Sequence, residues 1–163
     1  MNEFGEVTQT ESGYEARLER YVAHGQHELW KMLTDSEKLP RWLAPGFVEQ
    51  RQGGQARIDF EMSGSTIDST VTAVDPPSLL EYSWSSGDAP HRPLRWELSP
   101  EGAGVRLTLT LQLPIHENVP IACAGWEAHL DMLLAALEGV PISFPVQRFK
   151  EARGYYEELV PQS

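Results

Sequence analysis

The chain has 163 residues, 40% of them hydrophobic and 23% charged, the proportions of one globular domain with a sizeable core. Its 24 acidic side chains outnumber 13 basic ones, for a formal net charge of -11; such a surface repels phosphate backbones and anionic membrane, which argues against nucleic-acid binding. A single cysteine, Cys123, excludes an internal disulfide and a cysteine-cluster metal site, and no apolar run reaches the roughly 18 residues that a membrane span needs.

Residues 1–12 are polar and acidic, lack a signal-peptide pattern, and read as a flexible tail on a cytoplasmic protein. Residues 14–22 alternate as a strand does, with Ala16, Leu18 and Val22 on one face and Arg20 sharing that parity. Leu29, Trp30 and Leu33 then take helical spacing until Thr34-Asp35-Ser36 interrupts it. Asp35 or Ser36 can cap a second short helix through Leu39, which Pro40 and Pro45 limit. After a Gly53-Gly54 turn the pattern is β throughout. Ala56, Ile58, Phe60 and Met62 alternate with polar residues; a Gly64-Ser65 turn leads into a run rich in β-branched side chains. Asp75-Pro76-Pro77 ends that run. Leu80, Tyr82 and Trp84 alternate next, then Leu94, Trp96 and Leu98 beyond a loop. Pro100-Glu101-Gly102 makes a hairpin turn into the cleanest period-2 segment, Val105, Leu107, Leu109, Leu111 and Leu113.

Residues 119–139 predict one helix of about five turns, apolar around most of its circumference. Ala122, Cys123, Trp126, Leu130, Leu133, Leu134 and Leu137 make one broad face, which Gly125, Ala128, Met132 and Ala136 continue. Glu127, Asp131 and Glu138 form the polar stripe. A helix this apolar needs cover on more than one side. Pro141 and Pro145 separate it from a short helix around 146–159, where Phe149, Tyr155 and Tyr156, with Phe144 ahead of them, can fold back or reach a second copy as a homodimer. The whole predicts a single α+β domain over 1–163: tail 1–12, core 14–139 and C-terminal extension 140–163. An antiparallel meander with one dry face is covered by the long helix.

Four segments carry a family resemblance. Leu33-Thr34-Asp35-Ser36-Glu37-Lys38-Leu39-Pro40-Arg41-Trp42-Leu43 resembles a signature of the SRPBCC (START-like) superfamily, in the branch homologous to the C-terminal domain of activators of the heat-shock protein 90 ATPase. Residues 53–60, with Gly53-Gly54, residues 74–84, with Asp75-Pro76-Pro77, and residues 125–130, with Gly125-Trp126-Glu127, are similar to its later segments in the same order. Gln112 stands where many relatives carry histidine, and Gly25 where a proline commonly opens the first helix. The resemblance implies a helix-grip fold: a curved antiparallel sheet of about six or seven strands around a long C-terminal helix and a cavity, with two short helices after the first strand. It does not imply one activity, since members include ligand carriers, cyclases and chaperone cofactors.

Within that fold, Trp84 and Trp96 have inward parity and Trp126 opens the helix face. With Trp42, Phe47, Phe60, Met62, Tyr82, Leu130 and Leu133 they suggest an aromatic-lined cavity for a small apolar or aromatic ligand, the alternative being ordinary core packing. His129, Tyr82 and Arg20 are the polar groups with parity to reach such a cavity. Arg20 can equally pair with an internal acid or turn to solvent. His91 and Arg92 sit in a loop where a mouth could lie, the plainer reading being a solvated loop. His24, His27 and Glu28, and separately His116-Glu117, form no metal-ligand constellation, and neither a H-E-x-x-H nor a G-x-S-x-G motif is present. No cofactor, metal or catalytic residue is therefore expected. The first expectation is a non-enzymatic ligand-binding protein. The alternatives are a protein-interaction module with a chaperone partner, and a polyketide-cyclase-like enzyme using those polar groups for proton transfer.

Overall fold

The computed structural model describes residues 4–60, 65–87 and 89–160. Its strands are β1 (Glu6–Gln9), β2 (Gly13–Val22), β3 (Gly46–Val48), β4 (Gln55–Phe60), β5 (Ser65–Asp75), β6 (Leu79–Ser83), β7 (Pro93–Glu101) and β8 (Gly104–Pro114). The helices are α1 (Gln26–Thr34), α2 (Val119–Leu137) and α3 (Val146–Leu159), with a 3-10 turn at Leu39–Arg41. The strands make one eight-stranded antiparallel sheet in the order β1-β2-β8-β7-β6-β5-β4-β3. Each strand from β3 to β8 pairs with the next, and the first long strand closes on the last, with Leu18 opposite Leu109. A register shift between Val71 and Ala73 interrupts the β5–β6 pairing, and such bulges bend a sheet. The α+β helix-grip architecture expected from the sequence is the one found.

Two strands go beyond the sequence reading. Glu6–Gln9 lies within the expected tail, yet it pairs with β2, Val7 opposite Ala16. Its side chains are mostly exposed, so no apolar alternation announces it; backbone hydrogen bonds and a neighbour hold it instead. β3 has three residues, too short for any period to show. Phe47 on this edge strand is 38% exposed and not in the core. The second short helix is a single 3-10 turn because Pro40 sits in it and its amides bond back over so short a span.

Alternation places the core. Ala16, Leu18 and Val22 of β2, Leu94, Trp96 and Leu98 of β7, and Leu107, Leu109 and Leu111 of β8 are all buried. α2 packs Cys123, Trp126, Leu130 and Leu133 into them. Asn118 caps this helix by accepting from the Ile121 amide at 3.1 Å, and Pro120 occupies its first turn. The chain leaves through Gly139 at φ +77°, a left-handed conformation that glycine adopts without penalty. The second cover for α2 is α3, with Ala152 and Tyr156 fully buried.

That cover changes the meaning of the polar stripe. Glu127 is 0% exposed, not solvated. Its carboxylate accepts from Arg20 at 2.5 Å, from the Gly5 amide at 3.0 Å and from the Tyr156 hydroxyl. Tyr155 donates to the Gly5 carbonyl at 3.0 Å, and Arg148 of α3 pairs with Asp131 at 3.1 Å. Glu127 and the half-buried Asp131 thus form a seam joining β1's lead-in, β2, α2 and α3, while Glu138 at the helix end stays exposed and meets His24.

Candidate functional site

Between the N-terminal half of α2 and the sheet lies a cavity of about 360 Å³. It falls within the usual range of small-molecule sites, roughly 300–1,000 Å³. Phe60 at the end of β4, Trp84 just beyond β6, and Trp126 and His129 on α2 form an aromatic wall. Leu94 of β7 and Leu111 and Leu113 of β8 contribute the aliphatic side. Ile121, 41% exposed, stands at the helix edge.

The aromatic wall continues a stack that begins in the core. Trp42 meets Trp96 edge-on with ring centroids 5.9 Å apart, Trp96 meets Trp126 at 5.7 Å, and Trp126 meets Trp84 at 4.8 Å. Trp84 then meets Phe60 at 6.0 Å. All four are edge-to-face, a geometry that ring quadrupoles favour. The wall is thus held from behind rather than free to collapse.

One helix position in this wall has no side chain. Gly125 lines the cavity, and a Cβ built there would have nothing within 4 Å. Glycine inside a helix costs about 0.5–1 kcal/mol relative to alanine.

The polar lining is sparse and mostly engaged. His129 Nδ1 lies 3.2 Å from the Trp42 carbonyl. A carbonyl only accepts, so Nδ1 carries the proton and the neutral ring keeps its lone pair on Nε2. Burial lowers the His129 pKa below its ordinary value, partly countered by that carbonyl bond. Gln112 donates to Glu15 at 2.7 Å. Arg92 pairs with Glu117 at 2.6 Å, and its backbone amide donates to Ser83 Oγ at 2.8 Å. Arg92 Nε is the one buried side-chain nitrogen or oxygen without a hydrogen-bond partner among the described residues.

Of the residues expected to line a cavity, Phe60, Trp84, Trp126 and His129 come together there. Trp42, Tyr82, Trp96, Leu130 and Leu133 are buried core outside its wall. Trp42 donates to the Met32 carbonyl at 2.7 Å; burial raises the Tyr82 pKa, with Trp96 as its hydrogen-bonding neighbour. Met62 lies outside the described residues. Arg20 meets the internal acid Glu127, not the cavity. Burial, with the Glu127 charge nearby, pushes the Cys123 thiol up to about 12, so it is a packing group and not a nucleophile. Among the described residues no three His, Cys, Asp or Glu side chains are grouped to hold a metal, and no helix is long and apolar enough to cross a membrane.

The family described as Activator of Hsp90 ATPase homolog 1-like protein matches residues 24–138. The chain belongs to this family. The matched span runs from the start of α1 to the end of α2 and therefore includes the whole cavity wall. No curated protein matches the sequence. Among solved structures, CalU16 from Micromonospora echinospora is similar at 20% identity over 95% of this chain and 94% of that one, with a TM-score of 0.75. The Aha1 dimer from Colwellia psychrerythraea is similar at 17% identity over 76% of this chain and 96% of its own, with a TM-score of 0.66. DynU16, a protein in the dynemicin biosynthetic locus, is similar at 27% identity and a TM-score of 0.69; the match covers 78% of this chain and 48% of DynU16.

The family segments read from the sequence frame the site without forming it. Residues 53–60 deliver Phe60, residues 74–84 deliver Trp84, and residues 125–130 deliver Gly125, Trp126 and His129. Arg92, Glu117 and Ile121 belong to connections and a helix edge, where no periodicity points at a cavity. Gly125 gave a signal of a kind, a glycine inside an otherwise strong helix, which has meaning only once the neighbouring space is seen.

Proposed function

We propose that this protein binds a small apolar or aromatic molecule in the cleft between the N-terminal half of α2 and the sheet, without itself being an enzyme. The observation that carries this reading is a cavity of about 360 Å³ walled by Phe60, Trp84, Trp126 and His129 and kept open at Gly125. The cavity holds few polar groups, as expected where burial of apolar surface supplies affinity and isolated polar atoms supply orientation. The acidic surface, and the lack of any helix able to cross a membrane among the described residues, fit a protein acting in the cytoplasm. The test is a tryptophan fluorescence titration against ring compounds and fatty acids. Two of the five tryptophans, Trp84 and Trp126, line the cleft, so a bound ligand should quench part of the emission, and Trp84→Phe should reduce the change. A panel that leaves the emission of the wild type unaltered at its solubility limit sinks the reading.

A second reading is a protein contact. Val140, Ile142 and Phe144 in the connection from α2 to α3, and Val146 at the start of α3, are each at least 40% exposed, and a structure of similar fold is an Aha1 dimer. Family membership extends this reading to a chaperone partner. Sedimentation of the wild type against an Ile142→Asp, Phe144→Ser variant separates a dimer from a monomer, and a chaperone ATPase assay tests the partner.

A further inference from the structure

We infer that the cleft selects neutral ring compounds carrying a carbonyl-type acceptor, over plain hydrocarbons and over carboxylates, through the Arg92 guanidinium. The inference rests on the ligand-binding reading above and specifies its chemistry. It starts from the orphaned Arg92 Nε–H, in a side chain of the cavity wall. A buried donor without an acceptor is unfavourable. Other polar side chains of the wall have partners: Gln112 donates to Glu15, Asn118 Oδ1 accepts from the Ile121 amide, and His129 Nδ1–H donates to the Trp42 carbonyl. The Arg92 side chain is only partly buried, at 24% exposed, and stays paired with Glu117 through Nη2, so a small rotation about that pair is all that Nε–H needs to meet a ligand acceptor. An acceptor atom on an otherwise apolar ligand would take that donor.

Charge decides which acceptor. Glu117 sits 2.6 Å from the same guanidinium, and its own side chain is 33% exposed. The arginine charge is thus already matched. A ligand carboxylate would have to lose its hydration beside Glu117, in a protein of net charge -11, and would gain only a share of an engaged cation. A ketone, ester or quinone oxygen accepts the Nε–H bond without that penalty. The ring system lies against Trp84 and Trp126, and the acceptor lies at the Arg92 side.

Three probes on one skeleton test this by equilibrium dialysis: naphthalene, methyl 2-naphthyl ketone and 2-naphthoate. The wild type should bind the ketone about tenfold more tightly than either of the others, the span of one satisfied buried donor. Arg92→Met should erase the preference, so that the variant binds the ketone no more tightly than it binds naphthalene. Glu117→Gln, which unmasks the arginine charge, should raise naphthoate affinity several-fold. If the wild type binds all three equally, or naphthoate as tightly as the ketone, the role given to Arg92 is overturned while the cleft remains a binding site. If none of the three binds, the ligand-binding reading and this inference fall together. The wild-type comparison stands even if either variant does not fold.

Discussion

Gly125 separates a packed core from a site more sharply than any of the aromatic residues around it. Trp42, Trp96 and Tyr82 show that aromatic side chains with inward parity can simply fill space. A helical glycine with nothing within 4 Å of its Cβ position does the opposite, since it leaves a space that alanine could enter without a clash. Gly125→Ala should therefore stabilise the fold by about 0.5–1 kcal/mol, read as a higher urea midpoint, with ligand affinity little changed. Gly125→Leu should fold as well as the wild type and abolish binding, because its side chain would project into the cavity. A Leu variant that binds ring compounds normally would show that the ligand sits elsewhere. Gly5 illustrates the contrary case. A Cβ there would collide with the Arg17 carbonyl oxygen and lie 2.8 Å from the Tyr156 hydroxyl. Gly5→Ala should accordingly lower the thermal midpoint, by disrupting both the approach of the chain to β2 and the amide donated to Glu127.

At the level of elements, that Glu127 carboxylate joins four parts of the chain. Its partners come from the lead-in to β1, from β2 and from α3. Removing one member of a buried, paired set leaves the others desolvated and uncompensated, which costs about 3–5 kcal/mol. Glu127→Ala should destabilise by that order in a urea titration. Tyr156→Phe should cost less and should raise amide exchange mainly in β1 and α3, the edge strand that follows Gly5 and the helix that carries Tyr156. Equal exchange throughout the protein would mean that the seam is not what docks these elements. This seam also explains where the sequence could and could not be read. Strands β2, β7 and β8 and helix α2 were legible because their burial repeats every two or about 3.6 residues. β1 was not, because it is held by backbone pairing and by a charge 122 positions away along the chain. Glu127 itself looks like a solvated residue on a helical wheel, and only α3 folding over it makes it a buried one. Part of the cavity wall was legible for the same reason that the core was: Phe60, Trp84, Trp126 and His129 follow periodic patterns. The pattern does not distinguish a residue that lines a gap from one a layer deeper, so Trp42, Tyr82, Trp96, Leu130 and Leu133 carried the same signal as the true wall.

For the molecule as a whole, two histidines give stability an opposing dependence on pH. Burial lowers the pKa of His129, and its ring neighbours Phe60, Trp126 and Phe144 offer no charge to offset a proton. The unfolded chain would then take up a proton near the ordinary value of about 6.5 while the folded protein would not. The stability from this group is present above that pH and is lost as pH falls from there towards the lower folded value. His24 has the opposite sign. The hydrogen bond it donates to the Glu138 carboxylate at 3.0 Å, reinforced by Glu28, raises its pKa despite some desolvation. Its contribution is complete below about 6.5 and disappears as pH rises through the raised folded value. Between pH 8 and 5 the two partly cancel in the wild type. His24→Gln removes the contribution that grows towards acid, so that variant should lose stability more steeply than the wild type on going from pH 8 to 5. His129→Leu removes the opposing one, so its urea midpoint should hold or rise over the same range. His129 also forms part of the cleft wall, and an apolar ligand packed against its neutral ring should bind less tightly as that ring is protonated. Titrations with naphthalene at pH 7 and pH 5 should therefore show weaker binding at the lower pH for the wild type and no such change for His129→Leu. If both proteins lose affinity equally, the pH dependence comes from another group and His129 is not in contact with the bound ring.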